Sequence, residues 1–82
     1  RINDVYIALQ IERGNNMKSM IDIYNLLKQF GIYIYTGDRL GDLGLIEDEV
    51  KELYKSRMIE TKDYQTALLL IRQEERRLKT GN

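Results

Sequence analysis

The stretch DLGLIEDEVKELYKSRMIETKDYQTALLLI, residues 42–71, decides the fold because it holds two helical patterns separated by one short break. In the first half, apolar residues recur every three or four positions, at Leu43, Ile46, Val50, Leu53 and Tyr54. In the second half the same spacing joins Tyr64, Ala67, Leu68 and Ile71. Two amphipathic helices joined by so short a break predict an antiparallel helical hairpin.

The ends of these two helices carry capping signals. Asp42 is the predicted N-cap of the first helix, and acidic residues follow it in the first turns, where they suit the helix dipole. Ser56 and Arg57 are predicted to turn the chain, and Thr61 is the predicted cap of the second helix. The two helices are therefore expected near residues 42–56 and 62–79.

A third helix is predicted before the hairpin. Ser19 and Asp22 resemble a capping box in which Asp replaces the usual Glu, and Gly31 stands where a helix-ending glycine belongs. Between them runs a helical stripe of Met20, Ile23, Tyr24, Leu27 and Phe30. The fold class predicted is all-α, a three-helix bundle with helices near 19–30, 42–56 and 62–79.

The segment between the first two helices reads Ile32-Tyr33-Ile34-Tyr35 and alternates aliphatic with aromatic side chains. Taken alone, that alternation predicts a strand. The sequence offers no second strand for pairing, so we expect an extended connector with only one of the two sets buried. Residues 36–38 then supply turn chemistry.

Length and composition narrow the class of protein. Eighty-two residues form one small domain, without room for a deep substrate cavity. The chain has no Cys and no His, which removes thiolate zinc sites, disulfides and the commonest general base. We therefore predict a protein that is not an enzyme, with no cofactor and no metal. The longest apolar run, residues 67–71, is far shorter than a membrane span, and we expect a cytoplasmic location without membrane binding.

The first sixteen residues form a separate question. Apolar residues at Ile2, Val5, Tyr6 and Leu9 predict an extra N-terminal helix near 2–13. The codons for Asn15 and Asn16 are rich in A, so this part of the gene also fits the spacer that precedes a start codon, which would be that of Met17. Two interpretations stay open: residues 1–16 are a genuine extension, or they are not part of the natural protein, and residues 17–82 form the domain.

Several short motifs between Tyr24 and Glu74 resemble the YqgQ-like family of small bacterial proteins. They are YNLLK (24–28), FG (30–31), IYTGDR (34–39), DL (42–43), EDE (47–49), ELYKS (52–56), YQ (64–65) and RQE (72–74). The resemblance covers about Met17–Lys79 and implies a three-helix bundle with a role in binding single-stranded nucleic acid. The chain departs from the family pattern at Arg57, where Gly is expected, and at Gly44, where Glu is expected. If the turn at Arg57 needs a positive φ, Arg is strained there.

The candidate site combines tyrosines with basic residues. Tyr33 and Tyr35 are two positions apart on an extended segment, so they point the same way and offer rings on which bases can stack. Arg39 can take a phosphate, and four more basic residues flank the core stripes of the hairpin, namely Lys51, Lys55, Arg72 and Arg76. The alternative is that the two tyrosines are half-buried covers of the bundle with their polar tips in water, and that Arg72 and Arg76, with Arg77 and Lys79, only balance the dipole of the last helix.

Other motifs are weak. Gly37, Gly41 and Gly44 precede or open a helix, but their spacing is that of neither a dinucleotide-binding loop nor a P-loop. Asp48 and Glu52 share a helix face, where a solvated acidic surface is far more common than a cation site.

Two functions of different classes therefore stay open. The first is weak binding of single-stranded RNA or DNA by the tyrosines and the basic groove. The second is a protein–protein interaction module or homo-oligomer that binds no nucleic acid, in which the aromatic connector or the apolar face of the N-terminal helix meets a partner. Because the net charge is zero, the protein has no overall positive field that would attract nucleic acid or a membrane surface.

Overall fold

A computed structural model of the chain describes residues 17–80, and these residues form an all-α bundle of three helices. Helix α1 spans Met20–Gln29, α2 spans Arg39–Lys55 and α3 spans Thr61–Lys79. The predicted three-helix fold is confirmed. The helix predicted near 2–13, and the question of whether 1–16 belongs to the natural protein, lie outside the described residues.

Helices α2 and α3 form the predicted antiparallel hairpin. Near the turn, the rings of Tyr54 and Tyr64 stack across the two helices with centroids 4.3 Å apart. Toward the open end, Arg72 of α3 reaches Glu47 of α2, with Nη2 and Oε2 3.3 Å apart. The buried core takes one face of each helix together with Ile59 of the turn, and comprises Ile23, Leu27, Leu43, Ile46, Val50, Leu53, Ile59, Ala67 and Ile71.

Helices α1 and α2 end in the same hydrogen-bonded arrangement, a Schellman motif. After α1, Gly31 has a φ of 75°, and its N–H donates to the carbonyl of Lys28 at 2.9 Å. After α2, Arg57 takes the equivalent place with a φ of 62°, and its N–H donates to the carbonyl of Tyr54 at 3.0 Å. The turn therefore does need a positive φ, and Arg57 is strained in the conformation that glycine adopts freely.

Helix α2 begins three residues earlier than predicted, because Asp42 is not its N-cap. The cap residue is Asp38, whose carbonyl accepts the N–H of Asp42 at 2.8 Å. The carboxylate of Asp42, 2% exposed, instead accepts the N–H of Thr36 at 3.0 Å and its hydroxyl at 2.5 Å. Helix α3 likewise begins at Thr61 with Glu60 as its N-cap, so Thr61 is not the cap.

The connector between α1 and α2 is extended and forms no strand with any other part of residues 17–80, as predicted. Its aliphatic side chains, Ile32 and Ile34, pack against the core, and its tyrosines face solvent. The start of α1 lies in one groove with Glu74, and the start of α2 is bonded to the same Glu74. The two helices therefore start at the same level of the bundle. The connector runs back along the bundle over the length of α1, about 15 Å.

Among the three described helices, none has both the length and the apolar character that crossing a membrane requires.

Candidate nucleic-acid interface

Tyr33 and Tyr35 are the most exposed aromatic side chains of the described region, at 74% and 90%. Exposure of large aromatic rings to water is unfavourable, so a pair of them on one ordered segment makes this segment the candidate interface. The alternative interpretation, that these tyrosines are half-buried covers of the bundle, is wrong.

Three features hold the tyrosine segment in place. Ile32 and Ile34 anchor it to the core from its inner side. At one end, Ile32 donates its N–H to the carbonyl of Leu27 at 3.0 Å. At the other end, Thr36 is bonded twice to the buried carboxylate of Asp42. The rings therefore project from a fixed backbone, and binding to them does not have to order this segment.

Arg39 lies one turn of helix before Asp42 and joins an ion-pair network on α3. Its Nη2 is 2.9 Å from Oε2 of Glu74, and the side chain is 52% exposed. Glu74 also accepts two hydrogen bonds from Arg77, at 3.1 Å from Nε and 2.5 Å from Nη2. The hydrogen bond from Arg77 is the main reason that the pKa of Glu74 is lowered, and the charges of Arg77 and Arg39 add to it. The two arginines and one carboxylate leave this network with a net positive charge.

The other four predicted basic residues lie on the outer side of the hairpin, and we call this set the basic edge: Lys51 and Lys55 of α2, Arg72 and Arg76 of α3. All four are exposed. Arg72 is paired with Glu47, whereas the other three make no ion pair within the described residues.

The structure separates the basic edge from the tyrosines. An α-helix turns by about 100° per residue, so Lys51, nine residues after Asp42, points to the opposite side of α2 from it. Asp42 is the residue that holds the tyrosine connector. On α3, Arg76 is nine residues after the buried Ala67 and therefore points directly away from the core. The predicted site thus consists of two surfaces: the tyrosines with Arg39, and the basic edge.

Two residues on which the candidate site depends were not predicted from the sequence, Asp42 as an anchor and Glu74 as the partner of Arg39. A signal for Asp42 was present, because it lies four residues before Ile46 and eight before Val50, on the core face of α2. A carboxylate on a core face needs buried donors, and Thr36 in the preceding turn supplies them. No local signal in the sequence pairs Glu74 with Arg39, which is 35 residues away.

A second group of polar residues surrounds the turn of the hairpin. A shallow open groove there is lined by Tyr54, Lys55, Arg57, Ile59, Glu60 and Thr61. The hydroxyls of Tyr54 and Thr61 are 3.2 Å apart, and burial raises the pKa of the nearby Asp63. Residues 17–80 contain no group of three His, Cys, Asp or Glu side chains arranged to hold a metal ion.

Fold and site together define a class: a small three-helix bundle whose candidate site is an exposed aromatic and basic surface. A family model described as YqgQ-like matches residues 17–77. A relative from Bacillus subtilis (strain 168), "Uncharacterized protein YqgQ", is 38% identical over 65 residues, which cover 79% of this chain and 92% of the relative. The chain belongs to the YqgQ-like family.

Proposed function

We propose that this protein binds single-stranded nucleic acid, with bases stacking on Tyr33 and Tyr35 and a phosphate beside Arg39. The observation that carries the proposal is the exposure of both rings, 74% and 90%, on a segment whose backbone is anchored at both ends. The tyrosine surface is the primary contact.

The spacing of the tyrosines suits a stacked base. Alternate residues of an extended segment lie on one side and are about 6.6 Å apart. Stacked bases are about 3.4 Å apart, so one base fits between two rings that stand parallel. Because every base has a flat face, this contact predicts little sequence preference.

Arg39 can exchange its carboxylate partner for a phosphate. Its ion pair with Glu74 is exposed on the arginine side, and such pairs contribute at most about 1 kcal/mol. If Arg39 turns toward a phosphate, Glu74 keeps its two hydrogen bonds from Arg77. The exchange therefore leaves no carboxylate without a partner.

Fluorescence anisotropy of labelled single-stranded RNA and DNA, titrated with the protein at several salt concentrations, tests the proposal. We expect a Kd of roughly 10⁻⁴ to 10⁻⁶ M that weakens as salt rises. Tyr35→Ala is expected to weaken binding by about 5- to 150-fold, the range for losing one base–aromatic stack. Tyr35→Phe keeps the ring and is expected to bind like the wild type, and so is Leu69→Ala, which removes an exposed apolar side chain elsewhere.

The competing function is a homo-oligomeric interaction module, and exposed aliphatic side chains favour it. Ile21 is 69% exposed beside a groove that α1 and α3 form, and Leu69 of α3 is 60% exposed. If no oligonucleotide binds at low salt, nucleic-acid binding is wrong. Sedimentation at increasing protein concentration then tests the second function, which predicts an oligomer that persists in high salt and is lost in Ile21→Ser.

A further inference from the structure

An open groove runs between the start of α1 and the second half of α3. It encloses about 390 Å³, within the range of about 300–1,000 Å³ that is usual for small-molecule sites. Its apolar lining comes from Met20, Ile21 and Leu70. Met20 and Leu70 pack against the core and are only partly buried, and Ile21 is 69% exposed. A ligand with a flat apolar face would therefore cover surface that now meets water.

Arg39 connects this groove to the tyrosine segment. Glu74 forms part of the groove wall, and Arg39 is bonded to it at 2.9 Å. Arg39 also follows Tyr35 by only four residues, which span at most about 14 Å of extended chain. A strand that stacks on Tyr35 and places a phosphate beside Arg39 therefore reaches the groove within a few nucleotides.

The rim of the groove carries polar groups that match a nucleotide. Lys18 and Gln73 are both exposed. Within residues 17–80, Lys18 makes no ion pair and the side-chain amide of Gln73 makes no hydrogen bond. An amide both donates and accepts hydrogen bonds, so it can pair with the polar edge of a base, and an ammonium group binds phosphate. An aliphatic partner offers nothing to these two groups.

The charge of the groove also favours a strand of phosphates. Two cations, Lys18 and Arg77, line it together with one carboxylate, that of Glu74. This carboxylate is 14% exposed and already accepts hydrogen bonds from Arg77 and Arg39. The lining therefore has a net positive charge, and its one anion is occupied by protein donors.

We infer that the groove is a base-binding subsite, which takes the base of the nucleotide next to the phosphate on Arg39. The base lies over Ile21 and Leu70, its edge meets the amide of Gln73, and the following phosphate meets Lys18. This inference rests on the proposed function and adds to it a contact that the tyrosines do not make.

The experiment follows the methyl groups of the full 82-residue chain by NMR while a single strand of six deoxyadenosine nucleotides is added. A base above a methyl group shields it, so the methyl signals of Ile21 and Leu70 are expected to move upfield at saturation. A strand of the same length with abasic sites in place of every base is expected to leave them unmoved. The methyl groups of Leu69, exposed on α3 but outside the groove lining, are the control within the protein.

A pair of lysine variants tests the phosphate contact. Lys18→Gln is expected to lower the slope of log K against log salt for the deoxyadenosine strand by about 0.7, the value for one phosphate of a single strand. Lys28→Gln changes an exposed lysine at the other end of α1 and is the matched control, with an unchanged slope.

The outcomes separate this inference from the proposed function. If the strand binds but Ile21 and Leu70 respond equally to the abasic strand, or if Lys18→Gln leaves the slope unchanged, the subsite is overturned and the tyrosine surface stands. Methyl shifts that appear with rising protein concentration alone, or nuclear Overhauser contacts from residues 1–16, would also overturn it, because a second copy or the chain itself would then fill the groove. If the deoxyadenosine strand does not bind at low salt, the proposed function itself is wrong.

Discussion

Arg57 adopts a left-handed backbone conformation, with a φ of 62°, at the position where α2 ends. Such a conformation costs a residue with a side chain about 1–2 kcal/mol, and glycine is free of that cost. Arg57→Gly is therefore expected to raise the free energy of unfolding by about 1 kcal/mol, even though glycine makes the unfolded chain more flexible. In a domain of this size the melting temperature should rise by about 4–8 °C in calorimetry.

Gly31 provides the control, because it occupies the equivalent place after α1 with a φ of 75° and open space around it. Gly31→Ala is expected to lower the free energy of unfolding by about 1 kcal/mol. If Arg57→Gly and Gly31→Ala shift the melting temperature in the same direction, the account of strain at these turns is wrong.

The glycines inside α2 make a second matched pair. Alanine favours a helix over glycine by about 1 kcal/mol, and Gly44 has room for the added Cβ, so Gly44→Ala is expected to stabilise the protein by that amount. At Gly41 the Cβ would stand 2.7 Å from Oδ2 of Asp38, which must move aside. Gly41→Ala should therefore stabilise less, and urea denaturation of both variants measures the difference.

At the scale of elements, one buried carboxylate joins the connector to α2. Asp42→Ala removes the acceptor of both Thr36 hydrogen bonds and is expected to cost about 1.5–3 kcal/mol in urea denaturation. Asp42→Asn keeps one carbonyl oxygen and should cost less. If Asp42→Ala is as stable as the wild type, the connector is held by Ile32 and Ile34 alone.

The same carboxylate explains where the sequence predicted the elements well and where it did not. Helix spacing and Gly31 predicted the end of α1 correctly, because both signals are local. The start of α2 was placed at Asp42 because an acidic residue before an apolar stripe usually caps a helix. Here Asp38, four residues earlier, takes that role, and the side chain of Asp42 is committed to a tertiary contact that no local pattern shows.

The arrangement of side chains around the candidate site was predicted in part. Alternation in residues 32–35 predicted that one set of side chains faces the core, and the aliphatic set does. The composition of the basic residues did not show that they divide between two surfaces. That division follows from the contact of Asp42 with the connector and from the pairing of α2 with α3, both of which are properties of the assembled bundle.

At the scale of the whole molecule, Glu74 joins the start of α2 to the last third of α3. Its pKa is lowered in the folded protein, so the unfolded chain binds more protons and the stability that Glu74 contributes is lost as the pH falls below about 4.3 toward the lowered pKa. The raised pKa of Asp63 acts with the opposite sign, reducing stability as the pH rises above about 3.9.

Removal of one carboxylate separates these two effects. Glu74→Gln is expected to be less stable than the wild type at neutral pH and to lose less stability between about pH 5 and pH 3. Glu52→Gln, which alters an exposed glutamate outside the network, is the control and should follow the wild type. Parallel pH profiles for the wild type and Glu74→Gln would contradict the role given to Glu74.

The alternation of the connector has a consequence for how related sequences can vary in length. Ile32 and Ile34 face inward and Tyr33 and Tyr35 outward because neighbouring residues of an extended chain point to opposite sides. Insertion of a single residue before Ile32 would turn the phenol rings inward and the aliphatic pair into water, whereas insertion of two would preserve the pattern. Evolution can therefore lengthen or shorten this segment only in even steps while keeping its tyrosines exposed and its aliphatic side chains buried.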